Sequence, residues 1–417
     1  MSRERLTRQD AWALTGLILL CAALGFRNGA LALLGGGLLA AAASVGLWQR
    51  YALARLGYRR VLGERRAFYG EELPFTVEIE NRKALPLAWL EADDSIPTGL
   101  EVMGGPAAVG IEPGRASLRQ LVALRWYERV RLSYTLRCAA RGAYLLGPVH
   151  VRSGDPFGFA AREGVLSIFD RVLVYPRIVP VEQLGLPSRH PFGDARDPRR
   201  LFPDTTRLAG IRPYAPGDSP RHVHWKATAR LQSLQTRVYE PTTSHTLMLY
   251  VNLASFEGFW WASLNRSLLE LAITTAASVA KWGLDQGYHV GVSTNGAPAG
   301  GGEELGVPPA GDAQQLVRAL DTLARISLFA RTPLERLLSR DRARLPWGTT
   351  VVVISAVFPE PVLEVVQRLA SLGHVPALLQ IGDSAAARVQ PGTVWYRVPE
   401  AAWDSVETLS PVRAGAA

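Results

Sequence analysis

The chain has 417 residues, 48% hydrophobic and 20% charged, with a formal net charge of +9. These proportions exclude a disordered or fibrous chain and leave room for two or three domains, one of them in a membrane. The two cysteines, Cys21 and Cys138, lack metal-ligand spacing and exclude a disulfide-framed scaffold, which suits domains on the reducing side of a membrane. The positive balance reads as solvated arginine plus a positive-inside bias, because the pairs Arg59-Arg60, Arg65-Arg66 and Arg199-Arg200 are short and scattered and no nucleic-acid module is visible.

From the N-terminus, Ala11 to Phe26 and Gly29 to Trp48 are two uncharged apolar runs joined by Arg27 and Asn28. This pattern predicts two helices crossing a bilayer as a hairpin, over residues 1–60. Arg3, Arg5 and Arg8 precede the first run, and Arg50, Arg55, Arg59 and Arg60 follow the second, so both ends are expected in the cytoplasm. A cleaved signal peptide fits less well, since a second apolar run follows directly without a clean cleavage site. Gly35, Gly36 and Gly37 permit close helix packing or a kink.

Residues 61–180 alternate apolar and polar side chains in short segments, such as Phe75 to Ile79 and Val130 to Leu136, punctuated by Gly, Pro and Asn. They predict a β-sandwich-like domain. Residues 181–245 hold an aperiodic linker and then a crowded polar segment. Within it Pro216-Gly217-Asp218 predicts a turn, Ser219 a helix cap with Pro220 after it, and residues 221–231 a short helix. Three roles are open for this segment. Asp218 pairs with Arg221 or Arg230 while Trp225 fills a core slot between domains; or the cluster is an exposed docking face; or Asp218, His222 and His224 act as acid, base or metal ligands. His222 and His224 diverge by about 200° on a helix and cannot easily chelate one ion.

Residues 246–417 alternate strand and helix: Thr246 to Leu253, a helix from Trp261 to Gln286, YHVGVST, a Gly/Pro loop over 296–311, helices from Gln314 to Leu328 and Leu334 to Arg344, then strand, helix and strand from Thr349 to Ile381. That order predicts a doubly wound α/β sheet, with ligands expected beyond the carboxyl ends of its strands. Trp260 and Trp261 read as a helix-start anchor, with an exposed contact patch as the alternative. There is no P-loop and no G-x-S-x-G elbow.

The run Arg212, Tyr214, Pro216, Gly217, Asp218, Arg221, Val223, Trp225, Lys226, Ala229, Arg230 and Glu240 resembles the signature of the DUF58 family, R-x-Y-x-P-G-D-x-x-R-x-I-x-W-K-x-x-A-R followed by a Glu-containing strand. RGAYLLGPVHVRSGDPFGFA and VLVYPR are similar to family text as well. The resemblance implies a bacterial membrane protein whose C-terminal domain is von Willebrand A-like. Such domains often hold Mg²⁺ at D-x-S-x-S after the first strand. Here Asn252 stands for the Asp, Ala254 and Phe256 for the two Ser, and Ser255 falls out of pattern. A later strand ends in Ser355 where an Asp is expected, so this degenerate site is expected to hold no functional metal.

The resemblance further implies a non-enzymatic adaptor or scaffold, without a cofactor, working beside a MoxR-type AAA+ ATPase in assembly or chaperone-like processes. It would sit two-pass in the cytoplasmic membrane, bound to the lipid bilayer, with its termini and soluble domains cytoplasmic. The expected interaction residues are Arg212, Tyr214, Asp218, Arg221, Trp225, Lys226 and Arg230. The alternatives are a hydrolase centred on Asp218, His222 and His224, and a membrane-anchored nucleic-acid binder.

Overall fold

A computed structural model describes residues 8–105, 107–109, 113–155, 161–187, 203–215, 220–241, 246–384 and 393–402. The chain divides into two compact units, Met1–Pro176 and Arg177–Ala417.

The first unit begins with two packed helices, α1 (Arg8–Phe26) and α2 (Gly29–Tyr51). The chain reverses at Arg27, which adopts a φ of 44°. Asn28 then caps α2, its side chain accepting from the Ala30 amide at 2.9 Å. Gly35 lies where the helices meet: a Cβ there would fall 2.8 Å from the Leu20 nitrogen and 2.9 Å from the Gly16 carbonyl oxygen. Close packing is therefore the role of Gly35, whereas Gly36 and Gly37 face nothing within 4 Å. Leu24, Phe26 and Leu33 are about four-fifths exposed, an outward apolar surface that water disfavours. Of the two expected spans, Gly29–Trp48 is long and apolar enough to cross a membrane, and Trp12–Phe26 is a shorter apolar helix.

The β region of this unit contains a four-stranded sheet, ordered Leu56–Leu62, Glu72–Asn81, Arg129–Cys138, Leu100–Met103. A five-stranded sheet runs Ala161–Leu166, Val149–Gly154, Leu87–Pro97, Arg115–Leu124, Ala107–Val109. A smaller three-stranded sheet accompanies them. Alternation sets the register: Phe75, Val77 and Ile79 from the first sheet and Leu90, Ala92 and Ile96 from the second are all buried in one core. Inside that core lies an ion pair. Asp94 takes two bonds from Arg60, at 2.7 and 2.8 Å, and one from the Tyr58 hydroxyl at 2.8 Å. Gly147, at φ 95°, lets the chain pass this cluster; a Cβ would fall 2.1 Å from the Ile168 carbonyl oxygen.

The end of α2 is tied to the sheets. The Trp48 indole donates to the Pro86 carbonyl at 3.1 Å. The Lys83 ammonium, buried, donates to the Ala52 and Ala54 carbonyls at 2.7 and 3.0 Å. A cation there suits the negative end of the helix dipole. Burial lowers the Lys83 pKa to about 8 from its ordinary 10.5. Between those values the unfolded chain holds a proton that the folded chain has released, so the Lys83 contribution to stability rises with pH through this window and is flat below it. Denaturant unfolding at pH 7 and pH 10 should show the stability difference between wild type and Lys83→Met moving in favour of wild type at the higher pH. A pH-independent difference would contradict the burial of this amine.

The second unit opens with a turn at Val181–Leu184, both end residues buried. Strands Pro203–Pro213 and Gln235–Pro241 pair antiparallel and enclose the short α3 (Trp225–Leu231). A six-stranded sheet follows, ordered Gly306–Ala310, His289–Thr294, Thr246–Val251, Thr350–Ser355, Val375–Ile381, Val394–Val398. Its neighbours are parallel except for Gly306–Ala310, which makes the sheet mixed. That edge strand lies in the segment expected to be a loop. Pro308 and Pro309 cannot donate to a ladder, which confines them to an edge.

The helices α4 (Arg266–Asp285), α5 (Gln315–Ala324), α6 (Leu334–Asp341) and α7 (Glu360–Ser371) flank the sheet sequence. The first starts five residues later than its apolar periodicity suggests, because Asn265 caps it by accepting from the Leu268 amide at 3.3 Å. The second stops at Ala324 rather than Leu328. Ile326–Ala330 is a strand paired with Gly296–Pro298, in keeping with its β-branched and aromatic residues. Met248 and Tyr250 join a core with residues of α6 and α7.

Candidate functional site

The signature segment is assembled from a hairpin and a seven-residue helix, about two turns long. Tyr214 follows the first strand, half-buried, its amide donating to the Leu234 carbonyl at 2.8 Å. Pro220–His222 form a 3₁₀ turn. Val223, 5% exposed, bridges to Thr236 and pins this turn on the hairpin. The helix starts at Trp225, later than residue 221, because the His224 imidazole is its cap: Nδ1 accepts from the Ala227 amide at 3.0 Å. At the far end the Thr228 hydroxyl accepts from the Gln235 amide at 3.0 Å, and Gln232 closes the helix at φ 50°.

Within its own unit Trp225 is not part of a core; it is 70% exposed. The physical reason is the shortness of the helix. Its inward side is spent on Ala227 and Thr228, which are half-buried, and Trp225, Lys226 and Arg230 project to solvent. Leu231 and Leu234 are also exposed, 64% and 50%, as are Ile211, Arg212 and Arg237. The result is a basic surface with an aromatic and aliphatic centre. Of the sequence-expected residues, Arg212, Trp225, Lys226 and Arg230 are exposed. Asp218, with Pro216, Gly217 and Ser219, lies outside the described residues, as do the side chains of Arg221 and Glu240. His222 is half-buried, and the cap role occupies Nδ1 of His224.

The second place of interest is where the sheet changes winding direction. From Thr246–Val251 the chain winds to His289–Thr294 on one side, and later to Thr350–Ser355 on the other. Crevices open at the carboxyl ends of such strands. Here the crevice is closed by amides and hydroxyls. Asn252, 5% exposed, donates from Nδ2 to the Ser355 hydroxyl at 2.9 Å. Its Oδ1 accepts from Asn295 Nδ2 at 2.9 Å and from the Ala254 amide at 3.3 Å. Asn295 Oδ1 accepts from the Leu253 amide at 3.0 Å. Ser355 donates to the Val357 carbonyl at 2.5 Å, and Ser255 pairs with Ser263 at 2.9 Å.

Sequence reasoning found Asn252, Ser255 and Ser355 but missed Asn295 and Ser263. The signal for Asn295 was available: it directly follows the apolar strand His289–Thr294 on a neighbouring strand end. These residues do not fit Mg²⁺. A hard dication asks for several oxygens with negative charge, whereas the network offers neutral oxygens already accepting bonds and an amide N–H₂ turned into the cluster. Among the described residues no group of three or more His, Cys, Asp or Glu is placed to hold a metal. Mg²⁺ or Mn²⁺ titrated into the purified full-length chain is therefore expected to show no micromolar binding. Micromolar binding abolished in Asn252→Ala would overturn this.

Above the closed network the loop after Thr246–Val251 carries an exposed aromatic cluster. Phe256, Phe259, Trp260 and Trp261 are 40–49% exposed, and Leu264 and Phe329 63%. Trp261 stacks tilted on Phe259 at 5.2 Å and edge-on to Trp260 at 6.2 Å. The loop is held rather than loose. The Ala330 amide donates to the Trp261 carbonyl and the Ser263 amide to the Leu328 carbonyl, both at 2.8 Å. Trp260 and Trp261 thus lie half-exposed on this loop and are not the buried start of α4, since the Asn265 cap begins that helix beyond them. Rigid, half-exposed aromatic rings on a pinned loop are what protein interfaces use as anchors.

Residues 210–409 match the family described as "Protein of unknown function DUF58". A Bacillus subtilis (strain 168) protein, described as "Uncharacterized protein YeaD", is 25% identical over 253 residues, which span 60% of this chain and 58% of that protein. The match thus covers less than two thirds of that relative's length. Among solved structures, the CARDB domain of a Pyrococcus furiosus protein is 11% identical with a TM-score of 0.20, over 28% of this chain and 91% of that one. A cohesin module of a Clostridium perfringens glycoside hydrolase is 11% identical with a TM-score of 0.21, over 28% and 96%. At such scores these likenesses decide neither fold nor function.

Proposed function

Since the chain belongs to the DUF58 family, we propose that it is a non-enzymatic, membrane-anchored adaptor that docks a MoxR-type AAA+ ATPase on its C-terminal α/β unit. The observation that carries this reading is the exposed aromatic loop over strand ends closed by their own hydrogen bonds. Such a surface offers apolar anchoring area, and the polar side chains of Asn252, Asn295, Ser255 and Ser355 are engaged in hydrogen bonds at the place where α/β folds usually bind ligands. A von Willebrand A-like reading of the unit is supported by its sheet order, with the first strand central and an antiparallel strand at one edge.

The signature helix adds a second contact face. Between Pro203 and Pro241 the sequence holds Arg207, Arg212, Arg221, Lys226, Arg230 and Arg237 against Asp204, Asp218 and Glu240. That balance suits an acidic partner surface, with Trp225 as its apolar centre. Membrane attachment rests on α2 and the outward apolar side chains of both helices. A two-pass topology with both soluble units in the cytoplasm follows from the arginines flanking the pair.

Affinity capture from gently solubilised membranes tests the docking role. Wild type is expected to recover a AAA+ ATPase, and Trp225→Ala/Lys226→Ala to recover several-fold less at equal folded protein. Recovery by neither, across nucleotide states, would overturn the adaptor reading.

A further inference from the structure

In the first unit, the strand register brings Leu56 opposite Asn81 and Glu80 opposite Arg129, so these strand ends share one level just after α2. The loops that leave this level, 82–86 and 125–128, are hydrogen-bonded to one another. Asn81, fully buried, donates through Nδ2 to the Leu85 carbonyl at 2.9 Å and to the Arg125 carbonyl at 2.8 Å. The Tyr127 amide donates to the Lys83 carbonyl at 3.3 Å. Both loops lie against the end of α2, where Pro86 holds Trp48 and Lys83 holds Ala52 and Ala54. At the tip of this rim Trp126 and Tyr127 are 65% and 68% exposed. Tyr127 adopts a φ of 53°, a costly conformation for a bulky side chain, and such outliers persist where surrounding bonds enforce them. The Arg125 amide donates to the Glu128 carboxylate at 2.6 Å and closes the turn.

The apolar stretch of α2 ends at Trp48. Ala52, the cap residue of α2, follows about 6 Å further along the helix axis. The headgroup layer on each side of a bilayer is roughly 5–8 Å thick, so the loops bonded around Ala52 fall within it. An indole and a phenol, each with an apolar body and a polar tip, are the side chains that this layer favours. Arg125 is exposed on the turn, and Arg50 and Arg162 line a cleft of about 360 Å³ beside Gly46, near the end of the same helix. Carboxylates along these segments are already engaged: Glu80 with Arg82 and Arg129, Glu163 with Arg152, and Glu128 within the turn. We propose that the turn Arg125–Glu128 is an interfacial anchor, which seats the β region on the anionic headgroups of the bilayer that α2 spans. Trp126 and Tyr127 enter the headgroup layer, and Arg125, Arg50 and Arg162 supply the attraction to anionic lipid. The anchor rests on the membrane reading of α2.

The test attaches a nitroxide at position 126 of the full-length chain in vesicles of phosphatidylcholine, alone or with an equal part of phosphatidylglycerol. The variant is Trp126→Cys with Cys21→Ser, which leaves no other exposed thiol. Collision with a water-soluble nickel chelate, present on both faces, is compared with collision with oxygen to report depth. Reference labels sit at Leu33→Cys, on the exposed side of α2, and at Glu101→Cys, at the opposite end of the β region. The label at 126 is expected to be shielded from the chelate several-fold relative to 101, more strongly with phosphatidylglycerol, and to lie shallower than 33. Tyr127→Cys, labelled in the same way, should repeat the pattern. A label at 126 as open to the chelate as 101, with 33 in hydrocarbon, would overturn the anchor and leave the span intact. Equal shielding in the two vesicle types would overturn the preference for anionic lipid. A label at 33 as open as 101 would overturn the span, and the anchor with it.

Discussion

Replacing Asp94 with Ala should destabilise the β region of the first unit by about 3 kcal/mol, the low end of the cost of breaking a buried ion pair, because Asp170 still compensates part of the Arg60 charge. Both side chains of the Arg60–Asp94 pair are completely shielded from solvent. Burial works against the Arg60 charge, and the bonds and attraction of Asp94, then the bond to Asp170, more than offset it, so the guanidinium stays above its ordinary value. Without Asp94 it keeps Asp170 at 3.0 Å and the Ile168 carbonyl at 3.1 Å, and it cannot leave, because the sheets enclose it. The Tyr58 hydroxyl loses its acceptor in the same step. The loss is one of pairing rather than of charge, so Arg60→Met/Asp94→Leu/Tyr58→Phe should recover most of it. Hydrogen exchange of the Leu87–Pro97 amides reports both effects. A loss under 1 kcal/mol for Asp94→Ala would show that the cluster is solvated.

The second large effect is on association. Phe259→Ser/Trp261→Ser removes two exposed rings and should leave stability within about 0.5 kcal/mol, as surface changes usually do. Binding of the AAA+ partner should weaken by about 2–4 kcal/mol, roughly 30- to 1000-fold, the range of aromatic hot spots. The backbone bonds holding the loop, from Ala330 and Ser263, involve no side chain of the two replaced residues, so the variant keeps the loop's position. Unchanged partner affinity in a folded variant would move the interface away from the strand ends.

Much of this architecture was legible in the sequence because it rests on periodicity. The two apolar runs became α1 and α2, and the alternation from Phe75 to Ile79 became a strand with its apolar side inward. The continuous run Thr246–Val251 became the central strand of a sheet. What failed was local and tertiary. His224 caps α3 through Nδ1, a role that composition alone assigns to Ser219. Gly306–Ala310 hid among prolines and pairs only because an edge tolerates them. Trp225 looked like core from its type, yet a seven-residue helix lying on a two-stranded hairpin has one narrow inward side and leaves it outside.

At the candidate site, Asn252 and Ser355 could be named from the sequence as a place where carboxylates are missing. What replaces the carboxylates could not be, since the answer depends on Asn295 arriving from a third strand end and on Ser263 folding back to Ser255.

Site-specific photocrosslinking from position 261, in cells carrying the full-length chain with a photoreactive amino acid in place of Trp261, tests the docking surface most directly. A crosslink to a AAA+ ATPase is expected, reduced when Phe259 is also replaced by Ser. Crosslinks only to lipid, or none in any nucleotide state of the cell, would contradict a protein-docking role for this face.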